Sequence, residues 1–217
     1  MEERNITVTL EKAKEWYNSG DATLQEIALQ AFSRDEIIYP FTEIKSLNTA
    51  CIALGLNYRA ILAEVESIQK ISKASAAMFK LNIIRKALNL GQDLHLTKGL
   101  VDSHIYYPYN PFVTEYSTYY ESEINFGKME VIGKIKSEEE EYDVLGGRAN
   151  KSSMINVGLG DFDSSNGVGL AYIGFGFLGC ASKEIAEHFG KYFGMLITEA
   201  KYGDMVDFEI VEEKYKI

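Results

Sequence analysis

The residue pattern changes its period at Gly91, and this change limits the chain to folds that combine helices with a separate sheet. Before Gly91, apolar residues recur every three or four positions, as they do along one face of a helix. After Gly91, stretches with strand-like composition alternate with glycine-rich and polar segments. Helices first and strands second predict an α+β protein whose sheet is mostly antiparallel.

The helical half contains recognisable start signals. Thr9 and Asp21 are positioned to cap two short helices. A long helical region is predicted at residues 57–90, and Ser72 and Ser75 mark where it bends or divides. The first ninety residues are therefore expected to be helical throughout, apart from short connections.

The second half is predicted to contain the sheet and a C-terminal amphipathic helix packed on it. Ser182 is positioned to cap that helix, which carries two glycines, Gly190 and Gly194. Each glycine weakens a helix by about 1 kcal/mol relative to alanine, so we expect a strand or another helix to approach closely there. The chain divides into two regions, 1–91 and 92–217, or forms one continuous domain.

The composition is that of a globular protein, with 217 residues, 46% of them hydrophobic. No stretch reaches the roughly 18 apolar residues that a membrane helix needs, and the N-terminus lacks the basic and apolar order of a secretory signal. The formal charge of −10 argues against general binding to DNA, RNA or anionic membranes. We therefore expect a cytoplasmic protein that does not bind membranes.

Several motifs are better explained by structure than by chemistry. Cys51 and Cys180 lie far apart among apolar residues, which predicts buried reduced thiols. The segment GFGFLG at 174–179 matches the dinucleotide-binding motif in letters, but too few residues follow it for further βαβ units. In DFDSSNG at 161–167 the glycine comes one place late for a calcium loop. We predict neither a metal site nor a cofactor.

The overall acidic balance reverses between residues 59 and 98. The cations there are Arg59, Lys70, Lys73, Lys80, Arg85, Lys86 and Lys98, against the carboxylates Glu64, Glu66 and Asp93. These cations form either a solvated helix face or a contact for an anionic ligand or partner. Arg85 and Lys86, together with Arg148 from the second half, are the candidates for holding phosphate.

Tyrosines in the second half supply the other candidate ligand-binding residues. Tyr106, Tyr107 and Tyr109 follow one another closely in a segment of strand-like composition. Tyrosine offers a large rigid contact area with a polar tip and is enriched where proteins bind other molecules. Packing in the core of the sheet is an equally good interpretation of each of these side chains.

Four segments together resemble a known group of proteins. They are TLEKAKEWYNSGDATLQEIALQAF at 9–32, ACIALGL at 50–56, KLNIIRKALNLG at 80–91 and GFLGCASKEIAEHFGKYF at 176–193. They resemble a family of small proteins encoded by phages and prophages of gut Bacteroidales, which has no assigned activity. The resemblance implies a phage gene expressed in the bacterial host cytoplasm, with incorporation into the virion as a further expectation.

These observations leave more than one function open. The preferred hypothesis is a non-enzymatic binding protein of a phage, with a protein partner, and self-association is a further expectation. The alternative is a cytoplasmic anti-defence protein that binds or degrades a nucleotide-like anionic ligand through Arg85, Lys86 and Arg148. An enzyme using His95 or His104 beside a carboxylate is a third hypothesis, but neither histidine lies in a catalytic or metal-binding motif. We assign no catalytic residue.

Overall fold

The computed structural model describes residues 7–19, 21–90, 104–114, 129–137, 140–153 and 178–216, and it confirms the predicted α+β fold. The helices are α1 (Leu10–Asn18), α2 (Ala22–Ala31), α3 (Arg34–Ile37), α4 (Leu47–Ala53), α5 (Tyr58–Gln69), α6 (Lys73–Leu88) and α7 (Lys183–Tyr202), with a 3-10 turn at Phe41–Glu43. The strands are β1 (His104–Tyr109), β2 (Phe112–Val113), β3 (Glu130–Ser137), β4 (Glu140–Gly146), β5 (Arg148–Ser153) and β6 (Phe208–Glu213).

Side-chain caps fix where several helices begin. Thr9 and Asp21 accept hydrogen bonds from backbone N–H groups in the first turns of α1 and α2, as predicted. The region 57–90 divides at Ser72, whose hydroxyl accepts a hydrogen bond from the Ser75 N–H at 2.9 Å. That bond begins α6 and separates it from α5, so the predicted division is confirmed.

The strands form two antiparallel sheets. One has the order β2, β4, β3, β6, and in the other β1 pairs with β5 as a two-stranded ribbon. Within the ribbon, Tyr106 lies opposite Lys151 and Tyr109 lies opposite Arg148. The ribbon therefore brings residues from two separate parts of the chain into register.

Helix α7 lies against the largest buried cluster, which we call the main core. Its Phe189 and Phe193 are fully buried, with ring centroids 5.8 Å apart. They share this cluster with Leu81 and Ile84 of α6. The main core thus combines residues from 1–91 with residues from the second half of the chain.

The two glycines of α7 admit the close approach that was predicted. A Cβ atom on Gly194 would lie 2.4 Å from Asn110 Nδ2, and one on Gly190 would lie 3.1 Å from Pro108 Cβ. Asn110 is buried and donates Nδ2 hydrogen bonds to the carbonyls of Leu145, at 2.9 Å, and Gly190, at 2.8 Å. The segment after β1 is thereby joined to both α7 and β4.

Helices α1 to α3 pack around a small cluster of their own, which we call the N-terminal satellite (residues 8–37). Its buried residues are Ala13, Ala28 and Ile37, and the partly buried residues around them are Val8, Trp16, Tyr17 and Phe32. Gln25 also donates a hydrogen bond to the Tyr17 carbonyl at 2.8 Å. The satellite is held together by residues that are near one another in the sequence.

Candidate functional site

Arg85 of α6 is a charged residue with a buried donor atom that has no hydrogen-bond partner. It lies in the last turn of the helix, next to the buried Ile84, so its side chain emerges at the edge of the main core and is only partly exposed. Its Nε atom is buried and has no hydrogen-bond partner, and no ion pair between described residues involves Arg85. A partly buried guanidinium without a carboxylate partner is costly to desolvate.

Cys180 lies beside Arg85, close enough for the Arg85 charge to act on the thiol. The thiol is fully buried, and burial raises the pKa of Cys180 to about 12, although the positive charge of Arg85 acts in the opposite direction. Cys180 is therefore a neutral thiol and does not offer Arg85 a negative partner. Cys51 is also a buried free thiol, so the prediction for both cysteines is confirmed.

Tyr106 meets Cys180 through the backbone. The Tyr106 N–H donates to the Cys180 carbonyl at 3.2 Å, and the Cys180 N–H donates to the Tyr106 carbonyl at 2.8 Å. Asn89 holds the same segment, since it donates to the Gly179 carbonyl at 3.3 Å and accepts from the Ala181 N–H at 2.8 Å. Two residues predicted from separate patterns, Arg85 and Tyr106, thus have Cys180 as a common neighbour, the first through its charge and the second through its backbone.

The other candidate residues do not join them. Successive side chains of a strand point to opposite faces, so Tyr106 packs against the main core whereas Tyr109 packs with Val131 in a small cluster near β3. Arg148 is opposite Tyr109 in the ribbon. Lys86 is exposed. Neighbouring helix positions lie about 100° apart around the axis, so Lys86 leaves α6 in a different direction from Arg85. The side chain of Tyr107 lies outside the described residues.

A second surface combines lysines with aromatic rings, and the sequence interpretation missed it. We call it the lysine–tyrosine surface; its members are Lys45, Lys191, Tyr192, Lys214 and Tyr215. The two tyrosine ring centroids are 4.7 Å apart, and both Lys45 Nζ and Lys191 Nζ lie 5.7 Å from the Tyr192 centroid. Lys214 Nζ lies 5.4 Å from the Tyr215 centroid. These distances are in the range of cation–π contacts.

One carboxylate anchors this surface. Glu130 of β3 accepts from Lys191 and Lys214, each at 2.9 Å, and from the Tyr215 hydroxyl at 2.8 Å. Burial alone would raise the pKa of Glu130, but the three hydrogen bonds together hold it below its usual value. One of the three donors belongs to α7 and the other two to the segment after β6. Glu130 therefore joins both of these parts of the chain to β3.

His188 is packed beside the lysine–tyrosine surface. Its Nε2 lies 2.8 Å from the Ile44 carbonyl oxygen and donates to it in the corresponding tautomer. The ring centroid is 4.5 Å from that of Tyr192 and 5.5 Å from that of Phe41. Burial lowers the pKa of His188, while its hydrogen bond to Ile44 acts the other way. His188 is therefore a packed imidazole with a hydrogen-bond partner.

A sequence signal for the missed surface exists. Of the three Lys-Tyr pairs in the sequence, two contribute to this surface: one at 191–192 in α7 and a second at 214–215 after β6. The pairing of β6 with β3 brings the second pair towards Glu130. Only the sheet topology makes the two Lys-Tyr pairs converge, which is why neighbouring residues alone do not predict the surface.

The described part of the chain contains no group of three or more histidine, cysteine, aspartate or glutamate residues positioned to hold a metal ion. None of the described helices is long and apolar enough to cross a membrane. The segment 161–167, the glycine motif up to residue 177, His95 and the His104 side chain lie outside the described residues.

Comparison of the chain with protein-family models, with curated proteins and with solved structures gave no match. The resemblance to phage and prophage proteins therefore stays a prediction. The functional interpretation depends on the chemistry of the residues described above.

Proposed function

We propose that the chain is a non-enzymatic binding protein and that Arg85 binds a phosphate-like anionic group of its ligand. The observation that carries this proposal is the buried Nε of Arg85, which has no hydrogen-bond partner. Buried donors in folded proteins are nearly always satisfied, so a buried donor without a partner is a candidate for contact with an anion. A guanidinium fork matches the geometry of phosphate and carboxylate groups.

The surroundings of Arg85 favour binding over catalysis. The thiol beside it is neutral because burial raises the pKa of Cys180 to about 12, and only a thiolate is an effective nucleophile. Tyr106 is held at the same point by two backbone hydrogen bonds with Cys180. Its partly buried ring packs against the main core and gives the segment around Cys180 a rigid apolar support.

The charge of the whole chain limits the size of the anion. At a net charge of −10, a long polyanion such as duplex nucleic acid is repelled by most of the surface. A small molecule with one or two phosphates, or a single phosphate-like group on a partner protein, meets only the local positive charge near Arg85. This favours the nucleotide-like ligand of the alternative hypothesis, without requiring that the ligand be degraded.

The biological setting in this proposal is a phage-infected bacterial cell, and it rests on the sequence resemblance alone. The protein is either part of the virion or remains in the host cytoplasm. Quantitative mass spectrometry of purified virions beside infected-cell lysate separates these settings. Stoichiometric recovery in virions supports a structural role, whereas abundance in the lysate with none in virions excludes it.

Binding at Arg85 is tested by isothermal titration of the full chain with inorganic phosphate and with adenosine 5′-monophosphate. Arg85→Gln removes the charge while keeping a polar side chain, and we expect it to abolish the heat of binding. Arg59→Gln is the matched control, since Arg59 is an exposed arginine on α5, and it should bind as the wild type does.

Two results would overturn the proposal. One is a wild-type chain that binds neither phosphate nor the nucleotide. The other is binding that survives Arg85→Gln but is lost in Lys45→Gln, which would assign the anion to the lysine–tyrosine surface instead. Circular dichroism of each variant shows whether its fold is retained.

A further inference from the structure

Two neighbouring turns expose large apolar side chains to solvent. Ile71, in the turn between α5 and α6, is 89% exposed, and Met205 and Val206, between α7 and β6, are 55% and 98% exposed. We call these three residues the turn patch. Single exposed apolar residues are common, but an apolar cluster is characteristic of an interaction site.

A hydrogen-bonded clip holds the two turns side by side. The Asp204 carboxylate accepts a hydrogen bond from the Ser72 hydroxyl and one from the Ala74 N–H at 3.2 Å. The bond from Ser72, above all, keeps the pKa of Asp204 below its usual value. Gly203 lies so close that a Cβ there would be 3.3 Å from the Ala74 nitrogen. The turn patch is therefore held in one arrangement before any partner arrives, which lowers the entropic cost of binding.

The charges beside the patch differ in sign between the two turns. Lys70 precedes Ile71 in the first turn, and Asp207 follows Val206 in the second. Both are exposed, and neither forms an ion pair with another residue in the described part of the chain. The surface thus has an apolar centre with a positive charge on one turn and a negative charge on the other.

We propose that the turn patch binds a second copy of this chain about a two-fold axis. In such a dimer the same patch is used by both copies, so each residue meets its complement twice. Lys70 of one copy then faces Asp207 of the other on both sides of the axis, while the apolar side chains pack between them. This arrangement buries the exposed apolar side chains and gives each of the two charges a partner of opposite sign.

The size of the patch predicts a weak dimer. Stable interfaces bury about 1,200–2,000 Å² in total, and three side chains per copy contribute only part of such an area. We expect a reversible equilibrium that analytical ultracentrifugation detects as a weight-average mass rising with protein concentration. A wild-type chain that stays monomeric at every accessible concentration overturns the proposal.

Val206→Glu tests the apolar centre of the dimer. It places a carboxylate in the interface twice and should lower the association constant by at least about tenfold, equivalent to about 1.4 kcal/mol. Ile52→Glu is the matched control because Ile52 is 57% exposed on α4, outside the patch, and it should leave association unchanged. Equal association of Val206→Glu and wild type would refute the interface.

Charge reversal tests the two-fold symmetry itself. Lys70→Glu makes positions 70 and 207 both acidic, and Asp207→Lys makes them both basic. Each variant alone should therefore associate at least about tenfold more weakly, since like charges face each other twice. An equimolar mixture of the two variants should form mixed dimers, because opposite charges then face each other across the axis. A mixture that associates no better than its components would contradict the arrangement, even if the wild type dimerises elsewhere.

Discussion

The N-terminal satellite and the main core are stabilised in different ways. In the satellite, buried residues come from one short section of chain, and side-chain caps at Thr9 and Asp21 start its first two helices. The main core joins residues as far apart as Ile44 and Ala200. The local contacts of the satellite form without closing a long loop of chain. The long-range contacts of the main core form only when such a loop closes, which costs conformational entropy.

The two regions also differ in how completely their polar groups are satisfied. Among the described residues, the buried side-chain atoms without hydrogen-bond partners are Arg85 Nε, Asn110 Oδ1 and Tyr202 Oη. Arg85 belongs to α6, Asn110 follows β1 and Tyr202 is the last residue of α7, and none of them belongs to the satellite. The rule that buried polar atoms have hydrogen-bond partners is broken only outside the satellite among the described residues. Such exceptions indicate where function imposes a cost on stability.

The largest effect should come from truncating the centre of the main core. Phe193→Ala leaves a cavity where a fully buried ring stood and should reduce the free energy of unfolding by about 3–5 kcal/mol. Trp16, the sole tryptophan of the chain, lies in the satellite. Its fluorescence therefore reports on that region, while far-ultraviolet circular dichroism reports on all helices.

We expect Phe193→Ala to shift the circular dichroism transition in urea much more than the Trp16 fluorescence transition. Equal shifts of the two transitions would show that the satellite and the main core unfold as one cooperative unit. That result would remove the energetic distinction between the two regions.

A smaller loss should follow from filling the space beside α7. In Gly194→Ala, the new Cβ would lie 2.4 Å from Asn110 Nδ2, and overpacking costs about 1–3 kcal/mol, more than the gain of about 1 kcal/mol in helix propensity. Gly190→Ala is the matched control, because its nearest contact is 3.1 Å and the two terms should nearly cancel. Urea unfolding that ranks Gly190→Ala as the more damaging change would refute this packing argument.

Removing a cap should weaken the satellite alone. Asp21→Ala deletes the acceptor for the Thr23 and Leu24 N–H groups, and such changes cost about 1 kcal/mol. We expect the Trp16 fluorescence transition to move to lower urea, whereas ligand binding at Arg85 stays unchanged. Glu26→Ala, an exposed position on α2, provides the control. A loss of binding in Asp21→Ala would mean that the satellite contributes to the site.

The smallest effect concerns the pH dependence of the main core. Burial lowers the pKa of His188 in the folded chain, although its hydrogen bond to Ile44 and the Glu43 charge oppose this, while Lys45 and Lys191 add to it. The unfolded chain therefore binds more protons, and stability rises with pH. The contribution of neutral His188 to the free energy of unfolding is complete above the ordinary histidine pKa of about 6.5. It is lost as the pH falls through the lower pKa that His188 has in the folded chain.

His188→Gln removes this titration and keeps a donor for the Ile44 carbonyl. Its free energy of unfolding should decline less than that of the wild type as the pH is lowered from neutral. Identical slopes in urea titrations of the two proteins would exclude His188 as the source of the pH dependence.

The features predicted correctly from the sequence depend on neighbouring residues. Caps at Thr9, Asp21 and Ser182 and the division at Ser72 follow from side chains within three positions of a backbone donor. The close approach at Gly194 followed from the intrinsic cost of a glycine inside a helix. Fold class follows from the periodicity of the two halves of the chain.

The candidate site depends on strand pairing and on contacts between distant residues. Arg85 and Cys180 are separated by most of the second half of the chain, and their meeting requires the packing of α6 on α7. Strand alternation alone shows that Tyr106 and Tyr109 face opposite sides, but which side meets the main core depends on the register with Cys180. The lysine–tyrosine surface likewise requires β6 to pair with β3.

The central claim, that the Nε of Arg85 lacks a hydrogen-bond partner at the edge of the main core because it serves a ligand, is tested most directly by Arg85→Met. Methionine keeps much of the side-chain volume and removes the buried donor. Urea unfolding is measured for both proteins with and without inorganic phosphate. We predict that Arg85→Met is as stable as the wild type or more stable, by up to about 1–3 kcal/mol, and that phosphate stabilises the wild type more. A less stable variant with the same response to phosphate would contradict the account and make Arg85 a packing residue.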